Sequence, residues 1–266
     1  MRVHHVVRFF SAAALAGAVV ACDQAPIEWK DPAELARTDT LGRLTVDSNG
    51  HASVVAAASP PAAISASNVV VCPGSVRSVR GTVHVFAAWW GMRADSAATL
   101  FVSSATPTGN WAEAKRLAVD TTDMSKAGCD RPAPSVTTVG DDVFVAYSLH
   151  APEGRGVFFA HTMGGMVHEP VPVVYGERVV TTAIAAQDQR VVVAYEEANG
   201  TRRRINVAIS EDQGHTFGWH VPASRDVDIG RDPDVALAGD HVAVSWMAAG
   251  GADSANSRVV RVGRLK

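Results

Sequence analysis

Val143-Phe144-Val145-Ala146-Tyr147 follows the short turn Gly140-Asp141-Asp142 and precedes Gly156-Val157-Phe158-Phe159-Ala160. The first five residues are apolar throughout, and four are β-branched or aromatic. They read as a strand buried on both faces rather than as one stripe of a helix. The pattern recurs as Val85-Phe86-Ala87-Ala88-Trp89, Val191-Val192-Val193-Ala194-Tyr195 and Val242-Ala243-Val244-Ser245-Trp246. Trp89, Tyr147, Tyr195 and Trp246 are separated by 58, 48 and 51 residues. The other copies follow turns too, at Gly81-Thr82, Asp188-Gln189-Arg190 and Gly239-Asp240-His241. A short strand precedes each turn, for example Ser135 to Val139 and Asp234 to Ala238. A third strand follows the first three copies, at Thr99 to Ser103, Gly156 to Ala160 and Ile205 to Ile209.

A period near 50 residues with about four short strands per unit is the sequence signature of an all-β propeller built of four-stranded antiparallel blades. One such unit cannot bury both faces alone; a neighbour on each side solves that. Four repeats are clear, and residues 41–75 leave room for a fifth blade. The last repeat stops early, with space after Trp246 for about one strand, Val259-Val260-Arg261-Val262. Its outer strand is expected from Gly42 to Val46 or from Ala52 to Ala56, which would close the ring and hide an open edge. The propeller domain is thus placed at 41–266. An irregular β-sandwich is the alternative architecture.

After the third strand of one repeat comes Ser210-Glu211-Asp212-Gln213-Gly214-His215-Thr216-Phe217. It resembles the Asp box, Ser-x-Asp-x-Gly-x-Thr-Trp/Phe, of the sialidase/neuraminidase-like (BNR) β-propellers. Asp212 can accept hydrogen bonds from its own turn, Gly214 supplies a positive φ, and Phe217 serves as an apolar peg. Decayed copies stand at the same phase. Ser103 to Trp111 keeps Ser, Gly and the aromatic, and His161 to His168 keeps the glycine turn. The resemblance covers roughly residues 65–266 and implies a structural role for Ser210, Asp212, Gly214, Thr216 and Phe217. It also implies that they lie at the end of the propeller opposite any active site.

The longer loops, those after the second strands and before the first strands, share the other face. That face is expected to collect Trp90, Arg93, Asp95, His150, Glu153, Arg155, Glu196, Glu197 and Arg202 to Arg204. It should also hold Asp130, Arg131, Glu177, Arg178, Arg225, Asp226, Arg231 and Asp232. Sialidases clamp a substrate carboxylate with three arginines, a geometry that bidentate guanidinium groups suit, and use a Tyr nucleophile helped by Glu. By that resemblance Arg131, Arg178 and Arg231 are the clamp candidates, with Tyr175 and Glu177 as nucleophile and helper. The family's Arg-Ile-Pro signature is absent; the nearest stretch reads Ser75-Val76-Arg77-Ser78-Val79-Arg80.

His161-x-Met163-x-x-Met166-x-His168 carries two imidazoles and two thioethers, a donor set suited to Cu(I). The sequence favours a degenerate Asp-box turn instead, with Met as filler and His exposed, and no other histidine shows metal spacing. Cys72 and Cys129 occupy matching loops of neighbouring repeats and form a candidate disulfide, the alternative being two buried thiols.

Residues 1–21 pair Arg2 and Arg8 with an apolar run from Phe9 to Ala21, ending in Val19-Val20-Ala21-Cys22. This resembles a bacterial lipoprotein signal peptide with its lipobox, implying cleavage before Cys22 and acylation of that cysteine. An ordinary secretory leader is the alternative. Residues 22–40 read as the lipidated N-terminus and a tether, with one helical turn capped by Asp31 and begun by Pro32. Asp23 favours inner-membrane retention by a rule that varies between lineages. The formal net charge of −3 becomes −5 once the two leader arginines are gone. That charge excludes nucleic acid as a first partner, and no cofactor is expected. The sequence therefore points to a lipid-anchored envelope propeller that binds a glycan or protein without catalysis. An exo-sialidase-type glycoside hydrolase is the alternative, and a periplasmic copper-binding lipoprotein the third reading.

Overall fold

The computed structural model describes residues 26–35, 42–56, 64, 69–109, 111, 114–197, 203–225, 229–248 and 257–266. Residues 1–21, read as a leader, and Cys22, Arg202 and Asp226 lie outside the described residues. The chain opens with β1 (Ile27–Trp29), β2 (Ala33–Glu34), and the hairpin β3 (Arg43–Val46) and β4 (Ala52–Val55). Blade I contains β5 (Val70–Val71), β6 (Arg77–Arg80), β7 (Val85–Met92), β8 (Ala98–Ala105) and β9 (Lys115–Asp120). Blade II contains β10 (Ser135–Val139), β11 (Asp142–Ala151), β12 (Gly154–Met163), β13 (Met166–Val167) and β14 (Val171–Tyr175). Blade III is β15 (Thr182–Gln187), β16 (Arg190–Glu196), β17 (Ile205–Ser210) and β18 (Trp219–Pro222). Blade IV is β19 (Gly230–Ala238), β20 (His241–Ala248) and β21 (Ser257–Leu265).

Among the described residues every pairing is antiparallel, and in blades I to III the strands run outward in sequence order. The first strands stand side by side in the order β6, β10, β15, β19, β3. Sheets stacked about neighbouring first strands are the propeller arrangement, with four blades and a two-stranded hairpin beside the fourth among the described residues.

The apolar runs explain the stacking. In β11, Val143, Val145, Tyr147 and Leu149 pack toward blade I, while Phe144 and Ala146 pack toward blade III. In β16, Val191, Val193 and Tyr195 face blade II, and Val192 and Ala194 face blade IV. Val242, Val244 and Trp246 of β20 face blade III, whereas Ala243 faces the hairpin. Successive side chains alternate between faces, so one strand serves two interfaces. Trp89, Trp90, Trp246 and Tyr147 are fully buried. At roughly 25 cal/mol per Å² and 150–250 Å² per ring, each contributes about 4–6 kcal/mol as an upper estimate. The turns between first and second strands clip blades together: Asp141 Oδ1 accepts from Val83 N at 3.0 Å, and Gly239 N donates to Gln187 Oε1 at 2.7 Å.

Two N-terminal expectations change. The outer strand of blade IV is β1 with β2, both paired to β21, with Ile27 opposite Leu265 and Ala33 opposite Val260. These residues fall in the stretch read as a tether, and the turn expected at 31–35 is extended. Pro32 has no amide to donate, and it splits the edge strand rather than starting a helix. Residues 43–46 and 52–55, expected on that outer edge, pair with each other instead. Asp234 Oδ2 accepts from Leu44 N at 2.6 Å and from Arg258 at 3.3 Å, fixing the hairpin to blade IV. Leu44 then packs with Ala236, Ala243 and Val260.

Candidate functional site

The loop face carries a hollow of about 250 Å³ lined by Pro132, Arg178, Val179, Val180, Thr181, Glu196, Glu197 and Arg203. Pro132 comes from the approach to β10, Arg178 to Thr181 from the approach to β15, and the two glutamates from the end of β16. Glu196 Oε1 accepts from the Thr181 hydroxyl, and from Asp232 N at 3.1 Å. Asp232 sits in a bulge of β19 with φ +52°, an uncommon conformation for a side-chain-bearing residue. The bulge carries the Asp232 amide to Glu196. Arg204 holds Glu197 through Nε to Oε2 at 2.8 Å and through a second nitrogen to Oε1 at 3.5 Å. Guanidinium donors and carboxylate acceptors thus share the lining of a space the size of a small sugar or side chain.

The residues assigned by resemblance to sialidases do not gather there. Arg178 lines the hollow; Arg131, Arg231, Tyr175 and Glu177 are not in its lining. The Arg131 side chain is 4% exposed and its guanidinium is committed to Asp123 Oδ2 at 2.9 Å, Gly128 O at 2.9 Å and the Trp90 ring. Breaking such a buried pair leaves an uncompensated charge, so Arg131 is a structural group rather than a substrate clamp. Arg231 stands half-buried in β19, opposite Met247. Tyr175 ends the outermost strand of blade II, half exposed against the edge of Phe158, and Glu177 follows on that rim. Tyr175 thus belongs to the outer strand, the part of a blade farthest from the ring axis, while Glu177 directly precedes Arg178 in the chain. Trp90, expected on the face, is buried with Nε1 donating to Pro132 O at 2.8 Å. Arg93 pairs locally with Asp95. Cys72 and Cys129 are joined as a disulfide with Cα atoms 5.2 Å apart, tying blade I to the loop that leads into blade II.

The opposite end carries the Asp box. Asp212 Oδ1 accepts from Ser210 Oγ at 2.6 Å and Thr216 N at 2.9 Å, and Oδ2 accepts from Thr216 Oγ1 at 2.7 Å. Ser210 Oγ in turn accepts from Gly214 N at 2.8 Å. Burial pushes the Asp212 carboxyl up, but these hydrogen bonds outweigh it and hold the group at about 2. Gly214 has φ +90° and lies against Phe159 of blade II, on which Phe217 packs edge-on at 5.4 Å. The box therefore clips blade III onto blade II.

That clip delivers His215 to two histidines of blade II. The ring centroids of His161 and His168 are 4.5 Å apart and stacked, and His215 stands edge-on to His161 at 5.0 Å. One ligand atom from each of the three lies within 4.8 Å of the others. His161 is buried, contrary to the exposed turn expected there, and neither ring nitrogen has a hydrogen-bond partner. An unsatisfied buried polar group costs about 1–3 kcal/mol. Burial first, then the neighbouring His168 and His215, bring the His161 pKa down to about 4, with Asp142 opposing. Met163 pairs with Met166 across the Gly164-Gly165 turn, and Met166 is exposed. The sequence offered no sign of His215 as a neighbour, since its spacing from His168 follows no ligand motif.

Stacked four-stranded blades and a formed Asp box define this chain as an Asp-box β-propeller. No family model matches the sequence, and no curated protein matches it. Among solved structures it is similar to a subtype N10 neuraminidase-like protein of A/little yellow-shouldered bat/Guatemala/060/2010. That match has 8% identity and a TM-score of 0.44, covering 68% of this chain and 52% of the other. A Trypanosoma rangeli sialidase mutant displaying trans-sialidase activity matches at 13% identity and TM-score 0.46, over 82% of this chain and 38% of that one. The catalytic domain of Coprinopsis cinerea GH62 α-L-arabinofuranosidase matches at 12% identity and TM-score 0.44, over 84% and 71%. The chain spans about half the length of the first of these and less of the second.

Proposed function

We propose that this protein is an exported, lipid-anchored propeller that binds a glycan in the loop-face hollow without cleaving it. The observation that carries this is the lining of that hollow, which brings Arg178, Arg203, Glu196, Glu197 and Thr181 to one space. A sugar hydroxyl both donates and accepts, so neighbouring hydroxyls suit guanidinium donors set among carboxylate acceptors. Both glutamates are already engaged, Glu196 by Thr181 and the Asp232 amide and Glu197 by Arg204. Such engaged carboxylates favour holding a ligand over transferring a proton. The Cys72–Cys129 disulfide suits an oxidising compartment, in keeping with the lipobox ending at Cys22.

The test is a glycan array followed by calorimetric titration of the best ligand. Arg178→Ala and Arg203→Ala should each weaken binding by tenfold or more while the circular dichroism spectrum stays unchanged. Binding that survives both substitutions would remove the hollow from the account. Turnover of a fluorogenic sialoside by the intact protein would replace binding with hydrolysis. Cys22→Ser should move the protein from the membrane to the soluble fraction; an unchanged distribution would refute the lipid anchor.

A further inference from the structure

The end of the ring opposite the hollow carries a cluster that glycan binding does not use. We infer that His161, His168 and His215 form a binding site, shared between blades II and III, for a transition-metal ion of the zinc or copper class. Three observations converge. First, the three imidazoles each place a nitrogen within 4.8 Å of the others. Nitrogens around one tetrahedral ion at the usual 2.0–2.1 Å lie about 3.4 Å apart. Small rotations of half-buried His168 and exposed His215 close that gap.

Second, His161 is fixed and its polar atoms are unused. It is 3% exposed, packed between Phe144 and Phe159, with no partner for Nδ1 or Nε2. Buried polar groups are nearly always satisfied, and a metal ion at this place takes up the free lone pair. Third, His215 is already oriented. Its Nδ1 lies 2.5 Å from the carbonyl oxygen of Asp212. A carbonyl only accepts, so Nδ1 carries the proton and Nε2 presents its lone pair. That is the backbone hydrogen bond that commonly orients metal-binding histidines.

The donor set selects the ion class. Neutral imidazoles without a carboxylate are poor ligands for calcium or magnesium and good ones for zinc and copper. The β12–β13 hairpin adds a further feature. Met163 is directly opposite Met166, and His168 N donates to His161 O at 2.9 Å two residues along. Opposed residues share a face, so the register sets both methionines on the face of the two histidines. A thioether there would suit Cu(I).

The test uses untagged protein titrated with Zn²⁺, with Cu²⁺, with Cu⁺ under ascorbate, and with Mg²⁺ as control. One equivalent of Zn²⁺ or of copper should bind with micromolar or tighter affinity, and Mg²⁺ should not. His168→Ala and His215→Ala should each weaken that binding at least 100-fold, with circular dichroism unchanged. Bound Cu²⁺ should show an electron paramagnetic resonance spectrum with nitrogen ligation that both substitutions alter. Met166→Leu separates the two ions: a selective loss of Cu⁺ affinity marks copper, and no effect on any ion marks zinc. Binding of equal strength and stoichiometry in the His168→Ala/His215→Ala double variant would overturn the inference. The residual binding would then belong elsewhere in the chain.

Discussion

Gly214→Ala should be the most damaging single methyl addition in the Asp box, and its cost can be worked from two separate terms. The residue has φ +90°, outside the conformations an L side chain adopts comfortably. That alone costs about 1–2 kcal/mol. A Cβ at this position would also lie 2.0 Å from Phe159 Cε1 and 2.3 Å from Cζ. Phe159 is fully buried, with Phe217 edge-on at 5.4 Å and His161 at 5.5 Å, so its ring has nowhere to retreat. Overpacking of this kind costs about 1–3 kcal/mol. The sum, about 2–5 kcal/mol, corresponds to a fall in Tm of roughly 5–15 °C for a domain of this size. Gly239→Ala is the control: φ is +60° and nothing lies within 4 Å of its added Cβ. It should lose only the conformational part, about 1 kcal/mol. Thermal melts and urea titrations at pH 7 read both. Phe159→Leu in the Gly214→Ala background should show a coupling of at least about 1 kcal/mol. Equal losses at the two glycines, or no coupling with Phe159, would refute the account of the box as an interblade clip.

Reducing the Cys72–Cys129 disulfide, which closes a 57-residue separation, should lower stability by about 4 kcal/mol on the chain-entropy estimate. Urea titrations with and without dithiothreitol measure this, and coincident curves would contradict it. Tyr147→Phe removes the hydroxyl that donates to buried Asp120 Oδ2 at 2.6 Å and should cost about 1–3 kcal/mol. A cycle with Asp120→Asn should show the two to be strongly coupled, and additive losses would argue against the contact. Asp212 has a pKa lowered from 3.8 to about 2, burial opposing and its hydrogen bonds prevailing. Its contribution to stability is therefore complete above about pH 4 and disappears as the pH falls through about 2. The stability gap between the wild type and Asp212→Asn should narrow over that interval, and a gap constant from pH 7 to pH 2.5 would show that the carboxylate does not act this way.

The second strands, and the third strands of blades I to III, were legible because both of their faces are buried. A run such as Val143 to Tyr147 tolerates no charge, whereas the partly exposed edge strands do. Ile27–Trp29 and Ala33–Glu34 carry Glu28, Lys30, Asp31 and Glu34 in and around them, and Pro32 between them. An outer strand needs one apolar face at most, so nothing in its composition separates it from a tether. The Asp box was legible because its hydrogen bonds run between residues no more than four apart. The arginines were not legible. Arg131 and Arg178 look alike in sequence, yet one is buried against Asp123 and Trp90 and the other lines the loop-face hollow.

The sequence by itself determined the repeat, its strand order, the turn glycines and the local geometry of Ser210 to Phe217. All of these depend on interactions between near neighbours or on the burial of whole runs. The tertiary structure alone decided which charges pair, where the N-terminal strands dock and that His215 meets His161 and His168. The last contact joins residues 47 and 54 positions apart. It exists because neighbouring blades stack at a fixed spacing, which places the turn of one over the hairpin of the other.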